Sequence, residues 1–244
     1  MTNDDATEPT AVVTGSGRGL GAAIARRLAA DGFSIVVIDS DREGAESTAA
    51  AVGGRVGVVD VADFDAVAEF ATTIGPVDVL VNNAGIWRLA ALVDASPADL
   101  RSVVEVNVGG TMACTRAFAP AMAGRAGASI VNISSAAART ASAGLGSYAA
   151  SKAAVETLTR QWAAELAPIR VNAVAPGLVV TEGTAANYEG EAGRRRAAAV
   201  PVGRTGVPED IAAVVSFLVG PEAGYVSGQI ITVDGGLSAG QPGR

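Results

Sequence analysis

Ala11-Val12-Val13-Thr14-Gly15-Ser16-Gly17-Arg18-Gly19-Leu20-Gly21 is the stretch from which the rest of the chain can be read. Ala11 to Thr14 is a short apolar run of the kind that forms a buried strand. It runs straight into a glycine turn. Beyond the turn, Leu20, Ile24 and Leu28 fall on one stripe at helical spacing. Strand, glycine turn and helix in that order make an anion site, because backbone N–H groups and the positive end of the helix face one point. The spacing is Gly-x-x-x-Gly-x-Gly from Gly15, and no Gly-Lys-Ser/Thr follows, so the loop is not a nucleoside-triphosphate P-loop. A bare tight turn is the alternative, and the flanking strand and helix argue against it.

The same grammar repeats downstream. Apolar runs read as strands at Phe33 to Ile38, Arg55 to Val59, Asp78 to Val81, 128–133, Ile169 to Val174 and Gln229 to Val233. Helix signals lie between them. Ser96-Pro97-Ala98-Asp99 supplies a cap, a proline at the first position and an acid in the first turn. Val207-Pro208-Glu209-Asp210 opens a helix to about Val219, and Pro168 ends the one that carries Tyr148. This alternation predicts an α/β protein, a single doubly wound domain with a seven-stranded parallel sheet and helices on both faces. Residues 10–237 form that domain, with 1–9 and 238–244 expected as tails. Residues 182–203 are rich in Gly, Ala and charge without clean periodicity. They are too long for an ordinary connector and are expected to form a substrate loop or lid.

Composition removes several classes of function. The 244 residues suffice for one α/β domain with a substantial core, and 49% of them are hydrophobic. A net charge of −7 with no long basic run argues against nucleic acid as a partner. The chain has no histidine, which excludes Ser-His-Asp and Cys-His chemistry and histidine-ligated metals. Cys114 is the single cysteine, so no intrachain disulfide forms, and it reads as a small buried thiol. No apolar stretch reaches membrane-spanning length, and Met-Thr-Asn-Asp-Asp does not have the form of a signal peptide. A cytoplasmic location is expected.

Residues able to do chemistry gather where strands end. Asp39 closes the second strand, twenty-four residues after Gly15. A carboxylate there accepts both hydrogens of an adenosine ribose diol and repels a 2′-phosphate, which favours NAD over NADP. Arg18 and Arg42 pull the other way, since a nearby guanidinium recruits that phosphate. Asp60 closes the third strand, where it either meets an adenine amino group or caps the next helix, a task for which Asp63 is equally placed. Asn82-Asn83-Ala84-Gly85 follows the fourth strand; its small residues allow close approach to a ligand and its amides can pin neighbouring strands. Trp87 is next, as a pocket wall or as packing under a loop. Asn107, beside Val108-Gly109-Gly110 within a helical pattern, is locally unfavourable, so it marks a functional position or a satisfied polar core group.

Tyr148 and Lys152 lie one helical turn apart on the same face. A free phenol titrates near ~10, and a neighbouring ammonium favours its ionised form. Ser135 stands thirteen residues before Tyr148, after the apolar run Ser129-Ile130-Val131-Asn132-Ile133. A hydroxyl at a strand's carboxyl end and a phenol at a helix start can converge on one carbonyl oxygen. The spacing alone is also that of an ordinary cation–aromatic pair. Arg194-Arg195-Arg196 reads as a solvated helix face, with a docking site for acidic carriers or phosphates as the alternative.

Together these motifs resemble the classical short-chain dehydrogenase/reductase family. They occur in its order: Thr14-Gly15-x-x-x-Gly19-x-Gly21, Asp60, Asn82-Asn83-Ala84-Gly85, Asn107, Ser135, Tyr148-x-x-x-Lys152 and Pro176-Gly177. The resemblance spans about residues 10 to 237 and implies a Rossmann-type fold. It implies a catalytic set of Asn107, Ser135, Tyr148 and Lys152. Tyr148 would be the acid or base, Lys152 would lower its pKa, Ser135 would bond the substrate oxygen, and Asn107 would hold a water. It implies nicotinamide dinucleotide contacts from Gly15, Arg18, Gly19, Leu20, Gly21, Asp39, Asp60, Val61, Asn83, Ala84, Gly85, Tyr148, Lys152, Pro176, Gly177, Val179 and Thr181. The candidate pocket walls are Ser135, Trp87, Leu89, Leu145, Tyr148, Val179 and Tyr188, which suit a mainly apolar small molecule. No metal is required, and a homotetramer or homodimer is implied.

The expected function is therefore an NAD(H)-dependent oxidoreductase moving a hydride between nicotinamide and a secondary alcohol or ketone. A 3-oxoacyl-[acyl-carrier-protein]/CoA reductase using NADPH is the nearest rival. A non-catalytic dinucleotide-binding sensor is the alternative from another class, but a sensor has little reason to keep all four catalytic residues.

Overall fold

Thr10–Thr14 forms the first strand, β1, and its apolar run is explained by burial on two sides. Ala11 and Val13 face one core, and Val12 faces the other. The computed structural model describes residues 8–240. Further strands are Ser34–Asp39 (β2), Arg55–Val58 (β3), Val79–Asn82 (β4), Ser129–Ile133 (β5), Arg170–Pro176 (β6) and Ile230–Val233 (β7). All seven are parallel, in the order β3-β2-β1-β4-β5-β6-β7. The helices are Gly19–Ala30 (α1), Arg42–Val52 (α2), Phe64–Thr72 (α3), Pro97–Val104 (α4), Thr111–Met122 (α5), Gly146–Glu165 (α6), Gly190–Ala199 (α7) and Pro208–Val219 (α8).

Helices α1, α2 and α8 cover one face of the sheet, with Ile24, Leu28, Ile211 and Leu218 fully buried against Val13, Val37 and Val81. Helices α3, α5 and α6 cover the other, where Phe118 and Met122 pack on Leu80 and Ile130. Each such side chain contributes roughly 1.5–3 kcal/mol of hydrophobic stabilisation. The chain reverses direction across the sheet between β1 and β4. The crevice at the strands' carboxyl ends therefore opens there, where open parallel sheets bind ligands.

The expected helix starts hold. Ser96 Oγ accepts from Asp99 N–H at 3.0 Å, and Asp210 accepts from Val207 N–H at 2.9 Å. Three expectations need correcting. Asn107 lies in a π-helical turn, Glu105–Gly110, which joins α4 to α5, rather than in regular helix. The wider turn accommodates the two glycines and re-aims Asn107 inward, as such insertions do near functional positions. Residues 182–203 are not structureless: a 3₁₀ turn, Ala185–Tyr188, and helix α7 lie within them. Gly193 is the one buried residue of α7, so the helix has no apolar stripe to betray it. Of the expected tails, residues 1–7 and 241–244 lie outside the described residues. Glu8 and Pro9 are tied to the sheet through Ser34, which donates to Pro9 O at 2.9 Å and to Glu8 Oε2 at 3.0 Å. Among the described residues no helix is long and apolar enough to cross a membrane.

Candidate active site

The glycine turn is shaped by what no side chain would permit. Gly15 has φ +61°, and a Cβ there would lie 2.6 Å from Ala84 Cα. A Cβ on Gly21 would strike Gly15 O and come within 2.7 Å of Ser16 Cα. Arg18 precedes α1 without a side-chain cap, so the first N–H groups of that helix stay available to an anion. Asn83 fixes the turn from the neighbouring strand: its Nδ2 donates to Thr14 O at 2.9 Å and to Gly15 O at 2.8 Å. Thr14 Oγ1 accepts from Asn83 N–H and Ala84 N–H in return, at 3.1 and 3.0 Å. Behind it, Asn82 and Asn132 continue the pinning, with Asn82 Nδ2 donating to Asn132 Oδ1 at 2.8 Å and Asn132 Nδ2 to Thr159 Oγ1 at 2.9 Å.

Asp39 ends β2 directly beside this turn. Its Oδ2 accepts from Gly17 N–H at 2.8 Å and its Oδ1 from Asp41 N–H at 3.0 Å. Each oxygen keeps acceptor capacity toward the cleft. Asp60 is free of helix capping, since Asp63 accepts from Asp65 and Ala66 at the start of α3. These elements, the start of α6 and the β6–α7 connection enclose one cleft of about 860 Å³. Every residue the sequence suggests for dinucleotide contact lines it, from Gly15 to Thr181. A glycine cradle that any Cβ would fill, an uncapped helix end and a carboxylate at the tip of β2 together fit a dinucleotide.

Ser135, Tyr148 and Lys152 line the same cleft. Ser134 is separated from them in role: it is buried, donating to Lys152 O and Glu156 Oε1 at 3.2 Å each. Lys152 Nζ donates to Ile133 O at 2.8 Å and lies 5.9 Å from the centroid of the Tyr148 ring. Burial pulls the Lys152 ammonium down to about 8. At the Tyr148 phenol two effects oppose each other. Burial dominates and pushes the phenol up, opposed by the hydrogen bond with the Ser135 hydroxyl. Tyr148 is thus a buried phenol with a hydroxyl beside it.

Asn107 sits behind the cleft wall, wholly buried. Its Oδ1 accepts from Ile86 N–H at 2.7 Å, and its Nδ2 donates to Ile86 O at 2.8 Å and Ser151 Oγ at 2.9 Å. Ser151 donates onward to Tyr148 O at 2.7 Å. Asn107 therefore positions both the Gly85–Ile86 wall and the Tyr148 turn. Trp87, Leu89, Leu145, Val179 and Tyr188 all reach the cleft as expected. So do Thr140, Ser142, Thr184 and Asn187, which the sequence reading missed, and Arg196, for which it offered an anion-docking role only as the alternative to a solvated face. Thr184 had a local signal in Thr181-Glu182-Gly183-Thr184: its Oγ1 accepts from Thr181 N–H at 2.9 Å. All three arginines are exposed, as expected of a solvated helix face, and Arg196 differs from its neighbours in also lining the cleft. Cys114 is buried away from the cleft, and burial pushes its thiol up to about 12.

A phenol, a hydroxyl and a buried ammonium beside a dinucleotide-shaped cleft are the equipment of an oxidoreductase. Comparison with known proteins agrees. A family model described as enoyl-(acyl carrier protein) reductase matches residues 15–238. The short-chain reductase protein NovJ of Streptomyces niveus is 43% identical over 246 residues, covering 94% of each chain. A Thermotoga maritima 3-oxoacyl-[acyl-carrier-protein] reductase is 39% identical, covering 93% of this chain and 96% of its own. A galactitol 2-dehydrogenase of Cereibacter sphaeroides is 42% identical, covering 93% and 94%. A solved short-chain dehydrogenase/reductase superposes with TM-score 0.88 at 40% identity, covering 95% of this chain and 98% of its own. A candidate NAD(P)-dependent gluconate 5-dehydrogenase from Beutenbergia cavernae, with NADP bound at low occupancy, gives 0.87 at 39%, covering 95% and 97%. The chain belongs to the short-chain dehydrogenase/reductase family.

Proposed function

We propose that the protein is an NAD(H)-dependent dehydrogenase of secondary alcohols, reducing the corresponding ketones in reverse, with Tyr148 as the acid–base group. The observation that carries the reading is the convergence of Ser135, Tyr148 and Lys152 on the cleft into which the glycine turn and Asp39 also face. Gly19, Leu20 and Gly21 hold the dinucleotide's phosphates through the helix end, and Asp39 holds its ribose diol. The bound nicotinamide supplies or accepts the hydride. Ser135 donates a hydrogen bond to the substrate oxygen. Tyr148 gives its proton to that oxygen in reduction and removes one in oxidation. Lys152, near neutrality in its own titration, stabilises the phenolate form that Tyr148 then passes through. Asn107 keeps this geometry through Ile86 and Ser151. The 182–203 segment acts as a lid hinged on the Val179–Gly206 pairing.

The polyol dehydrogenases among the relatives support the alcohol reading. The relatives named 3-oxoacyl reductases, the NADP of one structural neighbour and the position of Arg18 at the cleft favour a second reading, an NADPH-linked 3-oxoacyl reductase. The two are separated by a spectrophotometric panel of secondary alcohols, sterols, sugars and 3-hydroxyacyl thioesters, each with NAD and with NADP. Turnover of an alcohol with NAD supports the first. Turnover confined to thioesters with the phosphorylated cofactor replaces it with the second.

A further inference from the structure

We infer that Arg196 recognises an anionic group on the substrate, so that the site takes a hydroxy or oxo compound with an apolar body and a carboxylate or phosphate at its far end. This rests on the proposed function and names the substrate class for the same site.

Three consecutive arginines lie on α7, and they do different things. Arg195 pairs with Glu191 at 3.6 Å on the exposed surface, and Arg194 is exposed outside the cleft. Arg196 alone of the three lines the cleft. It is held there: its Nη1 donates to Asn187 O, and its guanidinium carbon sits 5.6 Å from the centroid of the Tyr188 ring. The Tyr188 phenol, pushed up by burial, is drawn back by this charge, so the two groups feel each other across the contact.

The charges along the cleft are sorted by position. Asp39 closes β2, Asp60 follows the end of β3, Arg18 stands at the glycine turn, and Lys152 lies beside Tyr148. On the side walled by Trp87, Leu89, Leu145 and Tyr188, Arg196 is the one charged residue lining the cleft among those described. Among the described residues it has no carboxylate within ion-pair distance, unlike Arg195, Arg88, Arg139 and Arg204, which each have one. Only Nη1 is engaged, which leaves the other edge of the planar fork for two parallel bonds to an anion's oxygens. Arg196 is exposed at the mouth of the cleft, so the two-point geometry of the fork rather than exclusion of water sets the preference. The hydroxyls of Thr140 and Ser142 add neutral donors and no opposing charge.

The test uses matched pairs: aliphatic hydroxy acids of increasing chain length, their methyl esters, and the corresponding hydroxyalkyl phosphates. Each is assayed with NAD on the wild type, Arg196→Gln, Arg196→Lys and the surface control Arg194→Gln. Binding is read separately by tryptophan fluorescence with the dinucleotide present. At one optimal length the wild type should prefer an anion over its ester by about 10- to 100-fold, expressed in KM rather than kcat. Arg196→Gln should bring that ratio near one, Arg196→Lys should restore part of it, and Arg194→Gln should leave it intact. Preference for the carboxylate or the phosphate series identifies which anion is read. An unchanged anion/ester ratio in Arg196→Gln overturns the inference. So does a variant that loses dinucleotide affinity instead, which would place Arg196 on the cofactor, or activity only on a carrier-protein thioester with equal loss in Arg194→Gln. If nothing is turned over but the fluorescence titration still separates anion from ester in an Arg196-dependent way, the recognition stands and the proposed reaction falls.

Discussion

Removing the Asn107 side chain should expose how much of the site rests on a residue that never touches the cleft. Asn107→Ala deletes three hydrogen bonds, to Ile86 N–H, Ile86 O and Ser151 Oγ. The side chain is wholly buried, and an alanine leaves a space with no polar partner in it. A buried polar group left unpaired costs roughly 1–3 kcal/mol. Ser151 keeps its bond to Tyr148 O, and Ile86 is only half-buried, so the lower part of that range applies to each lost bond. The sum is about 2–4 kcal/mol. For a chain of this size each kcal/mol lowers Tm by about 2–4 °C, so the expected drop is roughly 4–16 °C. Urea unfolding followed by circular dichroism, beside a thermal melt, measures both. Turnover should fall as well, because Ile86 and the Tyr148 turn lose their common anchor. Asn107→Asp should be at least as harmful at neutral pH, since a carboxylate oxygen then faces Ile86 O where an amide had donated. A loss below ~1 kcal/mol in Asn107→Ala with kcat preserved would refute the positioning role.

Other outcomes follow from the same geometry. Gly21→Ala drives a methyl into Gly15 O and should weaken NADH binding at least ~10-fold by fluorescence titration while the fold persists; unchanged affinity would show that the turn is not the cradle. Asp39→Ala removes a charged acceptor worth about 1.5–3 kcal/mol, so the NAD/NADP affinity ratio should fall ~10-fold or more, and an unchanged ratio would move Asp39 away from the ribose. Lys152 has its folded-state pKa lowered from 10.5 to about 8 by burial, so the unfolded chain binds more protons between those values. Stability should therefore rise with pH from about 8 toward 10, relative to a Lys152→Met protein, in denaturant midpoints; a flat difference would mean that Lys152 is not desolvated.

The sheet was legible because parallel strands buried on two faces are written as continuous apolar runs, such as Ile35-Val36-Val37-Ile38, bounded by glycine and acidic residues. The cleft's floor was legible for a related reason. Gly15, Asp39, Asn83 and Tyr148 stand at strand ends or helix starts, positions that the local sequence fixes. Asn107 showed itself as a violation of helix propensity, and the π-helical turn is the structural form of that violation. Helix α7 was hidden because it buries almost nothing; its composition carries no period. Which of Arg194, Arg195 and Arg196 reaches the cleft depends on how α7 rests on Tyr188, a tertiary matter absent from the local sequence. The pKa of Tyr148 likewise depends on burial supplied by distant segments, which the Tyr148–Lys152 spacing does not report.

The central claim is that Tyr148 exchanges the proton in an NAD-linked hydride transfer, and the most direct test compares Tyr148→Phe with the wild type on the alcohol panel. The account predicts unchanged NADH affinity with turnover reduced about 10²- to 10⁴-fold, the usual worth of a general acid–base group. Residual turnover within tenfold of the wild type would contradict it and require another proton donor at the cleft.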